Sequence, residues 1–230
     1  MRNISSSLEH VEALQTLLTH EHTCRQLVAV VSMSVKKAKD EETGRTLPDS
    51  PERILRVEIL CETLWTLNNL IAEDKYELDE KLWRHLGIRE LLHSHLLDNF
   101  TEEAYEINSV HKVNQNVFIN PNLPPLHTYE LELLKELIWL INNLTNQGAI
   151  AYDFACDHFP QHIYLVTLIY HEQFDFNLWR VIVWNMRMMS SALVYMENPN
   201  LENQINMYWL SKFKDVICGF LQPNQLANQN

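Results

Sequence analysis

The chain has 230 residues, of which 46% are apolar, and it carries 30 acidic against 18 basic side chains for a formal charge of −12. That length suits one substantial domain or a short solenoid, and the apolar share excludes wholesale disorder. Four glycines among many helix formers favour an all-α protein, while the acidity disfavours nucleic acid and favours a basic partner.

Residues from about 8 to 38 read as two helices interrupted near Thr19-His20-Glu21-His22-Thr23, with the run Leu27-Val28-Ala29-Val30-Val31 in the second. A polar loop follows from Asp40 to Ser50. Ser50-Pro51-Glu52 then supplies a cap, a proline at the first helical position and an acid in the first turn, predicting a helix over 51–72. Residues 77–97 predict a short helix, a turn at Gly87 and an amphipathic helix. The stretch 98–127 is rich in Asn and holds Pro121, Pro124 and Pro125, so it reads as an insertion. Its Val117-Phe118-Ile119 patch is expected to fold back or dock on a partner. Helices are expected over 129–146, over 149–172 with a break at Pro160, and over 175–196. Apolar helices over 201–221 are expected to cap the end before a polar tail.

One sentence of thirteen residues occurs twice, 74 positions apart. The copies run Glu58-Ile-Leu-Cys-Glu-Thr-Leu-Trp65-Thr-Leu-Asn-Asn69-Leu70 and Glu132-Leu-Leu-Lys-Glu-Leu-Ile-Trp139-Leu-Ile-Asn-Asn143-Leu144, identical at seven positions. Such recurrence points to a repeat architecture. On a helix, Glu58, Glu62, Trp65 and Asn69 share a strip roughly 60° wide. Leu60, Leu64, Leu67, Leu70 and Ile71 occupy the other side. Glu132, Glu136, Trp139 and Asn143 repeat the strip, backed by Leu134, Leu137, Ile138, Ile141 and Leu144. The tryptophans thus stand outside their own helices' apolar faces, among carboxylates and amides. An amide can grip an extended backbone at both N–H and C=O, a Trp face can flank a cation's stem, and carboxylates attract its tip. Competing readings are a helix C-cap for each Asn pair, a buried Trp and a solvated acidic face.

The strings LWTLNNL and LIWLINNL resemble the ladder helices of the armadillo repeats in the importin-alpha family, where Trp-x-x-x-Asn lines the third helix of each repeat. Leu86-Gly87-Ile88-Arg89-Glu90-Leu91-Leu92 is similar to the glycine turn and second helix there, and Asn146-Gln147-Gly148-Ala149-Ile150 is a weaker echo. The resemblance spans about 60–200 and implies a right-handed superhelical solenoid of about three to four three-helix repeats. These would be about 8–72, 77–146 with the 98–127 insertion, and 149–196, with 201–221 as cap. It further implies that Trp65/Asn69 and Trp139/Asn143 hold an extended peptide whose Lys or Arg residues are chosen by Glu58, Glu62, Glu132 and Glu136. Trp184, 45 residues after Trp139, takes a third ladder place. There Val181 and Met188 replace a glutamate and the gripping Asn, so the groove is expected to be shortened. The chain has room for four repeats at most and its N-terminus is not basic, which separates it from the family's transport carriers.

Cys24, Cys61, Cys156 and Cys218 show no paired spacing, so neither a zinc site nor a disulfide framework is expected, and reduced thiols suit the cytoplasm or nucleus. No signal region opens the chain, and no apolar run approaches the roughly 20 residues of a membrane span. His20-x-His22 and His93-x-His95 have the wrong spacing for one metal on a helix, and Pro160 interrupts the pair His158 and His162. Phosphate loops, nucleophile elbows and metalloprotease signatures are lacking. The expectation is a non-enzymatic adaptor without cofactor or metal that holds a Lys/Arg-rich peptide, as in nuclear-localisation-signal binding and protein transport. The alternative is a structural scaffold subunit of a larger complex with a degenerate groove.

Overall fold

The computed structural model describes residues 21–39, 47–72, 87–102, 124–146 and 148–194, together with 208, 210–215 and 218. Among them the chain is mostly helical, without strand or sheet. It divides into two compact units, Met1–Phe118 with Pro124–Leu144, and Ile119–Leu123 with Thr145–Asn230.

In the first unit, α1 spans Glu21–Val31 and packs on both α2 (Pro51–Ala72) and α3 (Ile88–Leu96). The helix expected to reach residue 38 stops at Val31 instead. Ser32 turns its hydroxyl back to the Ala29 carbonyl (2.7 Å), and 33–38 run without regular structure. Two acceptors released there find partners elsewhere: the Val31 carbonyl meets His95 Nε2 (2.6 Å), and the Val35 carbonyl accepts Arg53 Nε (2.8 Å). The Val35 side chain is buried as well, so tertiary contacts outweigh one more helical turn.

Helix α2 starts as its sequence dictates. Ser50 Oγ accepts the Arg53 N–H (3.1 Å), and Pro51 fills the first position, where its missing N–H has no helical use. Val57, Leu60, Leu64, Leu67 and Ile71 are buried. The helix continues past Asn68-Asn69 to Ala72, so this amide pair lies inside a helix and is no C-cap. Gly87 adopts φ 68, the left-handed region that favours glycine, and aims α3 so that Ile88, Leu92, His95 and Leu96 face inward. A π-helical turn, Leu97–Thr101, follows directly and buries Phe100 and Thr101. The expected insertion therefore opens with ordered helical backbone. Residues 103–123, including Val117-Phe118-Ile119 and Pro121, lie outside the described residues, as do 1–20.

Helix α4 (Thr128–Thr145) begins with half of a capping box: Glu130 Oε2 accepts the backbone N–H of His127 (3.0 Å). Leu134, Leu137, Ile138, Ile141 and Leu144 are fully buried. The second unit contains α5 (Gly148–Cys156), α6 (Phe159–Tyr170), a 3-10 turn at His171–Gln173 and α7 (Phe176–Val194), with these three helices packed on one another. The break expected at Pro160 falls earlier, at Asp157-His158. Pro160 sits in the first turn of α6, where it disturbs no helical hydrogen bond, and Phe154 meets Phe159 edge-on across the bend (4.4 Å). Asp175 Oδ1 caps α7 by accepting the Leu178 N–H (2.8 Å). From the expected 201–221 cap, 208, 210–215 and 218 are helical, with Leu210 and Phe213 buried. No helix among the described residues is long and apolar enough to cross a membrane.

His95 makes the first unit sensitive to pH. Burial penalises its imidazolium and lowers its pKa from 6.5, against the opposing pull of the Val31 carbonyl and Asp98. The unfolded chain thus binds a proton that the folded chain refuses. This contribution to stability is complete above about 6.5 and is lost as pH falls toward the lowered value. Urea midpoints measured at pH 7.5 and 5.5 should show a lower midpoint in acid. His95→Asn, which keeps an N–H donor but does not titrate, should show a smaller difference.

Candidate functional site

The two copies of the repeated sentence sit on α2 and α4, and two polar clasps join these helices. The first lies at their N-terminal ends. Arg53 Nη2 donates to Glu130 Oε1 (3.0 Å), and Arg53 Nη1 to Asp49 Oδ1 (2.6 Å). Glu130 also receives Lys37 Nζ (2.9 Å to Oε1) from the irregular segment after α1. Tyr129 donates its hydroxyl to Asp49 Oδ2 and stacks on His127. Burial and then the Asp49 carboxylate push this phenol up to about 12, so it remains a donor throughout the ordinary pH range. The Arg53 and Glu130 side chains are 10% and 4% exposed, which puts their charges largely out of water. Breaking such a pair from one side costs about 3–5 kcal/mol, because the remaining charge stays buried.

The second clasp lies further along. Asn68, 4% exposed, donates through Nδ2 to the Glu136 carbonyl (3.1 Å) and to Glu136 Oε2 (2.9 Å). Asn143 Nδ2 returns the contact, donating to the Asn68 carbonyl (3.2 Å) and to Asn68 Oδ1 (3.1 Å). Arg53 and Glu130 each lie in the first turn of their helices, while Asn68 and Asn143 lie near the ends, so α2 and α4 run in the same direction. The clasped pairs are 77, 68 and 75 residues apart in sequence, bracketing the 74-residue repeat. The two copies therefore run in the same direction at offsets close to the repeat.

This arrangement decides where the expected site residues stand. Glu58 and Glu132 are exposed, Glu62, Trp65, Asn69, Glu136 and Asn143 are half-buried, and Trp139 is 41% exposed. The indoles are not sealed in the core, and behind them Leu60, Leu64, Leu67 and Ile71 on α2 and the leucines and isoleucines of α4 are buried. Asn69 Nδ2 is turned onto its own helix, donating to the Trp65 carbonyl (2.8 Å), whereas Glu132 pairs with Lys135 (3.3 Å). The amide that bonds across to α4 is Asn68, one step around the helix from the strip residue Asn69. The available signal was duplication of the Asn pair, which calls for two amides with different tasks. Arg53 and Glu130 lie outside the repeated sentence, and no local pattern reveals their pairing.

Trp184 belongs to the second unit, 42% exposed on α7, with its Nε1–H directed to Asn146 Oδ1 (3.4 Å). Val181, which takes a glutamate's place in the third strip, is buried. His158 is exposed just before α6 while His162 is fully buried within it, so the two rings do not share an open face. Comparison of the chain with protein-family models, curated proteins and solved structures gave no match.

The two amides of the first copy have distinguishable energetic roles. Asn68→Ala removes the donor that satisfies both Glu136 oxygens and should cost about 1–3 kcal/mol. Asn69→Ala loses only a bond to its own helix and gains helix propensity, so it should stay within about 0.5 kcal/mol of the parent. Equilibrium urea denaturation of both variants measures the difference.

Proposed function

We propose that this chain is a non-catalytic, armadillo-type adaptor that holds an extended Lys/Arg-rich peptide on the strip formed by Glu58, Glu62, Trp65, Asn69, Glu132, Glu136, Trp139 and Asn143. The observation that supports this most is the same-direction pairing of α2 and α4 at the repeat offset, with both tryptophans left partly open. Parallel neighbours in equivalent register are what stacked repeats produce, since each repeats its predecessor by translation along the array. Asn69 and Asn143 each spend an Nδ2 donor within the chain, yet their Oδ1 atoms accept nothing among the described residues. A guest backbone N–H suits such an acceptor. Neighbouring helices stand roughly 8–10 Å apart and an extended chain advances about 3.3 Å per residue, so two ladder helices address about four to six residues.

A second reading, a structural subunit of a larger assembly, has one observation in its favour. Asn68 engages Glu136 and Asn143, two of the groups that would grip a guest, so the strip is partly self-satisfied.

Titration of a fluorescent Lys/Arg-rich peptide separates the two. For an adaptor, Trp65→Ala/Trp139→Ala should weaken binding at least tenfold, and raising salt should weaken the parent's binding because Glu58 and Glu132 are solvent-exposed. Equal affinities for parent and variant, or binding indifferent to salt, would support the scaffold reading.

A further inference from the structure

Helix α7 carries two apolar faces, and among the described residues only one of them is buried. Leu178, Val181, Ile182, Met186, Met189 and Leu193 are buried. On the other side Phe176 is 79% exposed, Val183 40%, Trp184 42% and Val194 67%, with Arg180 and Arg187 exposed between them. A helix needs one apolar stripe to pack on its own core, so a second open stripe of this size marks a contact surface.

The spacing and charge of this stripe select its partner. Phe176, Arg180, Val183, Arg187 and Val194 fall on the alternating three- and four-residue steps of a two-helix seam. No Asp or Glu occurs between Phe176 and Val194, although the chain as a whole carries −12. Arg187 lies over the Trp184 ring at 5.1 Å, which holds its guanidinium beside the seam. Pairing with a second copy would bring four arginines along one seam without a carboxylate from either helix. An opposing helix with carboxylates at the seam would instead neutralise both guanidinium groups and cover the apolar residues.

We infer that the open face of α7 docks an acidic amphipathic helix of another protein, with Phe176, Val183 and Val194 as apolar contacts and Arg180 and Arg187 as the charge-selecting ones. This inference rests on the residues of α7 alone and does not depend on the reading of the acidic strip. Two synthetic 21-residue helical peptides test it, both with leucine at one set of seam positions, and with either glutamate or lysine at the other. In fluorescence anisotropy against the full chain, the glutamate peptide should bind at least tenfold more tightly than the lysine peptide. Arg180→Glu/Arg187→Glu should reverse that order, and circular dichroism checks that its helices are retained. The comparison of the two peptides on the parent protein stands even if the variant misfolds. Equal binding of both peptides by the parent, tighter binding of single-stranded DNA than of the glutamate peptide, or self-association in sedimentation that blocks the glutamate peptide would each overturn the inference.

Discussion

The carboxylate of Glu130 is the point on which the first unit depends. It accepts Arg53 from the start of α2, Lys37 from the irregular segment after α1, and the backbone N–H of His127 at the start of its own helix. One buried anion thus ties three chain segments together, with Arg53 on Oε1, the His127 N–H on Oε2 and Lys37 within reach of both oxygens. Buried ion pairs contribute little net stability when compared with apolar packing, but they penalise every alternative pairing that leaves a charge unmatched. Here the excluded alternatives are other registers of α2 against α4. Fifteen residues along α2, Asn68 repeats the constraint with neutral groups, and two separated clasps leave the helices neither free to slide nor to reverse.

That registration is what gives the duplicated sentence physical meaning. A repeat in sequence becomes a repeat in space only if equivalent residues lie beside each other, and the 74-residue period falls among the clasp offsets of 68, 75 and 77. The tryptophans remain partly open because the leucines and isoleucines behind them already bury both helices. In the proposed reading, a large apolar ring next to carboxylates at such a place serves to recognise a cationic chain.

How much of this was legible in the sequence follows from the range of each interaction. Local signals served well: Ser50-Pro51 marked the start of α2, Gly87 marked the turn before α3, and the leucine spacing separated the buried side of α2 and α4 from the open one. Signals failed where distant atoms compete. The end of α1 at Val31 is set by Arg53 and His95, far along the chain, and propensity alone extends that helix to residue 38. Pro160 suggested a break at its own position, but in the first turn of a helix it fits without cost, so the bend precedes it. Asn68 and Asn69 are indistinguishable by composition, and a single step around the helix gives one an interhelical task and the other a bond to its own turn.

The central claim, that α2 and α4 lie parallel in the repeat register, is tested most directly by electron–electron resonance distances between spin labels on non-cysteine handles at exposed positions 58, 72 and 132. Position 58 is the counterpart of 132, whereas 72 lies fourteen residues further along α2, about 21 Å at helical rise. The account predicts a 58–132 distance clearly shorter than the 72–132 distance. The reverse order, or two equal distances, would contradict it.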